Sequence, residues 1–246
     1  MIIGSNLLFY EKLSSTNSQA SLLLKDKDLP EGTVVYTDFQ TGGRGQGANR
    51  WESEKCKNLL LSIILYPDSV QPEEQFAISI AISLGICDFI DRYYSGCKIK
   101  WPNDIYINNG KIAGILIENS IFGPEIKSSV AGIGLNINQE NFPDNISNPI
   151  SLKQVAGKEF DRDVILEQLL SDLDIRYKQL LYGDRSHLKD EYISRLYRLN
   201  EWCAFKSGNK EFTGRITDIS DHGNLRIEGQ NGRIAEFSFR EVDYVL

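Results

Sequence analysis

Apolar residues fall in two different rhythms along this chain. Leu59 to Tyr66 (LLLSIILY) is a nearly unbroken apolar run of strand length and reads as a buried strand. Phe76, Ile80, Leu84, Cys87 and Ile90 recur every three or four residues instead, and predict a long helix over 73–94. TVVYT (33–37) is rich in β-branched residues and reads as a strand, as does the mixed stretch 5–13. The hydroxyl and amide residues of SSTN (14–17) precede SQASLLLK, which is the order of an N-cap and its helix. IKW (99–101), DIYI (104–107) and KIAGILIE (111–118) read as strands, with Asn109-Gly110 as a type I′ hairpin turn between the last two. SSVAGIGLNIN (128–138) is a further strand with small residues, and 161–182 and 186–199 are helical in pattern.

Beyond Leu199 the texture changes. WCAFK, EFTGRITDI, NLRIEG, RIAEFSF and VDYV are short alternating stretches separated by DHGN and QNG. They predict a small all-β unit of about 45 residues. The expected division is therefore 1–199 and 200–246. In the first part strands and helices do not alternate strictly and hairpin turns occur, so the fold class is α+β.

Composition narrows the chemistry. The 246 residues fit one large domain with a small appendage, and 41% hydrophobic residues can build a sizeable core. A net charge of −7 gives no bulk footprint for nucleic acid, so any anion site must concentrate its cations locally. Cys56, Cys87, Cys97 and Cys203 lack CxxC spacing, which signals neither a zinc site nor a disulfide scaffold; reduced, mostly buried thiols are expected. The start, MIIGSNLLFYEK, lacks the basic and long apolar regions of a signal peptide, and no 18-residue apolar run occurs. No membrane span is expected, and the cytoplasm is the expected compartment. His187 and His222 stand among charged or turn residues, which disfavours a His-ligated metal or a Ser-His-Asp triad.

Three stretches carry chemistry. TGGRGQGANRW (41–51) is rich in glycine, which is costly to order and so needs a reason. Its freed N–H groups can form an anion-binding concavity, and Arg44 adds a planar, permanent charge. Neither GxxxxGK[ST] nor GxGxxG fits it. KWPNDIYINNGKIAGILIE (100–118) places Lys111 beside Ala113-Gly114, where an ammonium can lie over a ligand running along the backbone. In GIGLNIN (132–138), Gly132 and Gly134 share a strand face and leave room for a flat ligand, with Asn136 on that face to hydrogen-bond. Each stretch alone also has a plain reading: a flexible hairpin, a solvated lysine, glycines packed under a helix.

Taken in order and spacing, SSTN, QTGGRGQ…W, KWPND…KIAG and GIGLN resemble the biotin protein ligases from Ser14 to Asn138. The C-terminal β unit is similar to the SH3-like cap of that family. The resemblance implies a mixed β-sheet catalytic domain of the biotin/lipoate ligase type with helices packed on it, plus a small SH3-like β-barrel. It implies that biotin is activated by ATP as biotinyl-5′-AMP and passed to a lysine of a biotin carboxyl carrier protein, with Mg²⁺ accompanying the nucleotide. By the same resemblance Arg44 and Lys111 are the catalytic cations. Ser15, Thr16, Asn17 and Gln40 hold the ureido head. Gly43, Arg44, Gly45, Gln46 and Lys111 surround the acid side, and Gly114, Ile115, Gly132 and Gly134 form pocket walls. Trp51, Lys100, Asn103, Asp104 and Asn136 belong to the nucleotide side; metal ligands are not assigned.

The chain departs from the family in the loop. Many members show GRGRxGR, where this sequence has Gln46, Ala48 and Asn49. The uncharged Gln46 implies weaker retention of the intermediate. SSTN begins at residue 14, which leaves no room ahead of it for the winged helix some members carry. With the acidic charge, DNA binding is not expected, while homodimerisation through a sheet edge stays open. So do two other readings: a lipoate- or octanoate-transferring relative of the same fold, and a non-catalytic biotin-binding sensor.

Overall fold

The apolar strands demand cover on both sides, and the chain supplies it with helices. In the computed structural model, which describes residues 1–26, 28–144 and 146–245, seven strands make one mixed sheet. They are β1 (Asn6–Tyr10), β2 (Thr33–Thr37), β3 (Leu59–Leu65), β4 (Lys98–Lys100), β5 (Asp104–Ile107), β6 (Gly110–Phe122) and β7 (Glu125–Leu135). Their spatial order is β1-β2-β3-β7-β6-β5-β4, with β1 and β2 parallel and every other pair antiparallel. The helices are α1 (Thr16–Asp26), α2 (Phe76–Asp91), α3 (Leu152–Ala156), α4 (Arg162–Tyr182) and α5 (Arg185–Ser194).

Strand alternation sorts the two faces. On β3, Leu61, Ile63 and Leu65 join the main core with α2 and α4, while Ile64 turns to the other face. There it meets Val35, Val130, and Ala20 and Leu23 of α1. The α1 face continues past the helix along Ser62 and Leu60, which pair with Gly132 and Gly134 of β7. Those glycines in turn pair with Leu116 and Gly114 of β6. One part of this face is thus apolar under α1, and the next part is nearly bare backbone.

Gly85 sits where α2 meets α4. A Cβ there would lie 2.9 Å from Leu173 Cα, so only glycine permits this approach. Tyr177 of α4 is fully buried and donates its hydroxyl to Glu31 at 2.6 Å, tying the helix layer to the loop before β2.

The last five strands, β8 (Trp202–Ser207), β9 (Lys210–Ile219), β10 (Leu225–Gly229), β11 (Ile234–Phe237) and β12 (Asp243–Tyr244), form an antiparallel sheet ordered β11-β10-β9-β8-β12. Among the described residues no pairing joins β11 to β12, so the expected barrel is open in its hydrogen bonding. This sheet docks through Trp101, whose Nε1 donates to Gly223 O at 2.8 Å, and through Phe239 against Phe76 and Trp101.

Several expectations shift in detail. The helix expected over 73–94 is Phe76–Asp91, preceded by a short 3-10 turn at 72–74. The helix expected to reach 199 stops at Ser194, because the chain leaves it to pair with β4: Ile99 N donates to Arg195 O and Tyr197 N to Ile99 O, both at 2.8 Å. The hairpin loop is Asn108-Asn109, with positive φ at Asn108 only, so it is not a type I′ turn. Gly110 already belongs to β6 and is small because a Cβ would come within 2.9 Å of Ile150 Cβ. All four cysteines are free, but only Cys87 and Cys97 are buried; Cys203 is half-buried and Cys56 exposed.

The Gly85 contact yields a stability prediction. Gly85→Ala forces α2 and α4 apart and lowers stability by about 1–3 kcal/mol in spite of alanine's better helix propensity. Denaturant unfolding checks this, and an unchanged or raised midpoint contradicts the close packing.

Candidate active site

The bare sheet face forms the floor of a cavity of about 450 Å³, closed on one side by the Gly-rich segment and on another by the C-terminal sheet. Its inner end is polar. Ser15 O accepts the first helical bond of α1 from Gln19 N at 3.0 Å, so Thr16 and Asn17 stand at the helix start. Gln40 Oε1 accepts from Thr16 N at 2.7 Å and Thr16 Oγ1 at 3.2 Å. Ser62 Oγ donates to Asn17 Oδ1 at 2.6 Å and lies 2.7 Å from Thr16 Oγ1. Asn17 Nδ2 donates to Leu116 O at 3.2 Å and to Glu118 Oε2 at 3.0 Å. Gly132 makes room for Asn17, since a Cβ there would lie 2.8 Å from Asn17 Cγ. Buried polar groups arranged this way present fixed lone pairs and N–H groups to a small ligand head.

The glycine segment is a hairpin. Gly45 N donates to Asn49 O at 2.9 Å and Trp51 N to Gly43 O at 3.1 Å. Its base is tied to the segment leading into α1, with Thr41 N on Leu13 O and Gly42 N on Ser14 O. Trp51 then lays its ring on the floor: a Cβ on Gly134 would lie 2.7 Å from Trp51 Cδ2, and one on Gly114 2.9 Å from Cζ3. Gly114 and Gly134 are thus the socket of Trp51.

Both expected cations lie at the cavity wall, and each carries a carboxylate. Arg44 and Glu118 make a two-pronged pair, Nη2–Oε1 at 2.6 Å and Nη1–Oε2 at 3.1 Å. Lys111 Nζ is 2.6 Å from Asp104 Oδ1 and 5.6 Å from the centre of the Trp51 ring. Lys100 sits between the rings of Tyr106 and Tyr244, 5.1 and 5.0 Å from their centres. Burial lowers its pKa, with Asp104 acting in the opposite sense. Burial also pushes the Tyr244 and Tyr106 hydroxyls up, so both stay neutral beside the ammonium.

The structure brings nearly all the expected residues together. Ser15, Thr16, Asn17, Gln40, Arg44, Gly45, Gln46, Trp51, Lys100, Asn103, Asp104, Lys111, Gly114, Ile115, Gly132 and Gly134 all line this cavity. Gly43 and Asn136 do not. Gly43 closes the hairpin base, with Trp51 N bonded to its carbonyl. Asn136 lies beyond Trp51 and Lys111 in a side cavity of about 70 Å³. Its Nδ2 donates to Ile150 O at 3.1 Å, and its Oδ1 is buried without a partner. Asn103 braces the turn, donating Nδ2 to Ile115 O at 2.8 Å while Ile115 N returns to Asn103 O. Sequence reasoning missed Ser62, Glu118, Arg240, Asp243 and Tyr244. Ser62 was visible as the one polar residue in LLLSIIL; the last three have no local signal, because only docking of the second sheet brings them here.

The profile of the Biotin/lipoate A/B protein ligase family matches residues 9–138, and that of the Biotin protein ligase C terminal domain matches 199–242. The chain belongs to the biotin/lipoate A/B protein ligase family. Among curated members of that family, it is 32% identical over 239 residues to the bifunctional ligase/repressor BirA of Bacillus subtilis, covering 94% of this chain and 72% of that one. It is 29% identical over 236 residues to the biotin--[acetyl-CoA-carboxylase] ligase of Paracoccus denitrificans, covering 90% and 94%. The biotin protein ligase from Aquifex aeolicus, solved in complex with biotin and ATP, superposes with a TM-score of 0.81 at 26% identity, covering 98% of this chain and 100% of that one.

The socket makes a prediction within this family fold. Gly134→Ala expels the Trp51 ring from the floor, and the protein stays folded because the clash is with one side chain. Fluorescence of the three tryptophans should shift to the red, and a spectrum identical to that of the unaltered protein would contradict the socket.

Proposed function

We propose that this chain is an ATP-dependent biotin–protein ligase, forming biotinyl-5′-AMP and transferring the biotinyl group to a lysine of a biotin carboxyl carrier protein. The observation that carries the reading is the joining of a buried polar recess to two fixed cations on one open sheet face. A ureido head needs donors and acceptors, and Thr16, Asn17 and Gln40 line the recess with both kinds of group, Asn17 being held from behind by the buried Ser62. An octanoyl or lipoyl tail brings no such groups, which favours biotin over the fatty relatives. Curated relatives named as biotin--[acetyl-CoA-carboxylase] ligases, and a similar structure holding biotin and ATP, support the same reading.

The first step brings two anions together. Biotin's carboxylate oxygen attacks the α-phosphorus of ATP, the bond to the bridging oxygen breaks, and pyrophosphate leaves. Arg44 and Lys111 are placed to screen this approach and the charge that develops. In the second step the carrier lysine's neutral amine attacks the acyl carbon and AMP leaves. Trp51 offers its ring to the adenine face, and the partnerless Oδ1 of Asn136, beside that ring, is an acceptor for an exocyclic amine. The hairpin covering the cavity keeps water from the mixed anhydride.

Among the described residues no three His, Cys, Asp or Glu side chains converge as a metal site. A Mg²⁺ ion bound with the nucleotide would neutralise phosphate charge, and Asp104 and Asp243, carboxylates on the cavity wall, would hold it through oxygen. No described helix is long and apolar enough to cross a membrane. The net charge of −7 accords with a protein partner rather than DNA.

Labelled biotin, ATP, Mg²⁺ and a biotin carboxyl carrier domain should give a labelled carrier, and excess lipoate should not suppress it. No label on the carrier, or label suppressed by lipoate, sinks the proposal. Lys111→Ala should fold normally and cut biotin-dependent pyrophosphate release by roughly 10- to 150-fold, the worth of one charge-assisted contact. Release at the normal rate would remove Lys111 from the mechanism.

A further inference from the structure

The Arg44–Glu118 pair poses a problem for the reaction just described, on which this inference rests. A guanidinium offers its Nη1–Nη2 edge to one carboxylate at a time, and Glu118 already holds that edge of Arg44. We infer that Glu118 is a positioning residue: it docks Arg44, and with it the glycine hairpin, over the cavity, and yields Arg44 to the acid of the arriving substrate.

Three observations support this. First, Glu118 is anchored independently of Arg44. Its Oε2 accepts from Asn17 Nδ2 at 3.0 Å, and Asn17 is buried and fixed by Ser62 at 2.6 Å. The carboxylate is therefore held in place whether or not Arg44 is present. Second, the polar chain runs from Arg44 through Glu118, Asn17, Ser62 and Thr16 to Gln40, so it starts on the glycine segment and ends on the residue that leads into it. The recess expected to hold the substrate's head is thereby wired to the hairpin expected to cover its acid. Third, the Arg44 and Glu118 side chains keep 46% and 34% of their surface exposed. Such a pair is weak enough to exchange for a substrate acid that the recess has already bound.

The inference carries a sign. Glu118 competes with the substrate acid for Arg44, so removing its charge should loosen the hairpin in protein without added biotin and tighten biotin binding. Any residue that merely supports the fold would weaken both, and one that touches biotin favourably would weaken binding.

Glu118→Gln keeps an oxygen for Asn17 and removes the ion pair. In the unliganded protein, hydrogen exchange at the Gly45 and Trp51 amides, which bond to Asn49 O and Gly43 O, should speed up by between about 1.5- and 5-fold. In an Arg44→Ala background the same change should add nothing. Biotin affinity of the Glu118→Gln protein, measured without ATP, should rise by a similar factor. Unchanged exchange, a further increase in the Arg44→Ala background, or weaker biotin binding would each overturn the inference. If Glu118→Gln fails to fold, Glu118→Asp, one methylene too short for the fork, supplies the same comparison. If the unaltered protein binds no biotin at all, the ligase reading falls, and the exchange measurements still decide the docking role of Glu118.

Discussion

One constraint organises the molecule: part of a sheet face carries glycines where larger side chains would stand and has no helix over it. Alternation along β3, β6 and β7 places Gly114, Gly132, Gly134 and Ser62 on the α1 side, and α1 covers only the neighbouring part. Bare backbone buried under a helix would waste apolar contact. Bare backbone at the floor of a cavity lets a flat ring approach within van der Waals distance, and Trp51 does so here. The main core with α2 and α4 lies on the opposite face and supports the floor, on which Trp51 covers Gly114 and Gly134 and Asn17 covers Gly132.

The second organising feature is charge. An acidic chain must keep its few functional cations from drifting into solvent, and it does so by giving each a carboxylate: Glu118 for Arg44 and Asp104 for Lys111. The cost is that the cations are not free when substrate arrives. Both pairs are partly exposed and therefore exchangeable, which suits a site whose substrates are themselves a carboxylate and a polyphosphate. Lys100 is held differently, between two tyrosine rings, one of them from the last strand of the second sheet. That contact makes the C-terminal sheet part of the cavity wall.

Much of this was legible in the sequence, for identifiable reasons. LLLSIIL and the β-branched TVVYT needed burial, so the central strands appeared where their composition placed them. The glycine pattern of 132–138 marked a close approach, although the approaching groups, Asn17 and Trp51, are remote in sequence. Boundaries that depend on tertiary pairing were not legible. The end of α5 is set by β4, and the tight spacing at Gly110 is set by Ile150 rather than by the turn. The site's ion pairs were also hidden, because Glu118 and Arg44 are 74 positions apart and nothing local joins them. Asn136 was placed on the correct strand face, yet Trp51 separates it from the main cavity.

The geometry puts a biotin-sized acid in the polar recess beside Trp51, with its carboxylate between Arg44 and Lys111. A crystal structure with biotin and a non-hydrolysable ATP analogue tests it most directly. The expected complex has the ring system against Thr16, Asn17 and Gln40, the carboxylate within hydrogen-bond reach of both cations, and Arg44 parted from Glu118. A ligand bound elsewhere, or both cations still locked to Glu118 and Asp104 with the acid out of their reach, would contradict it.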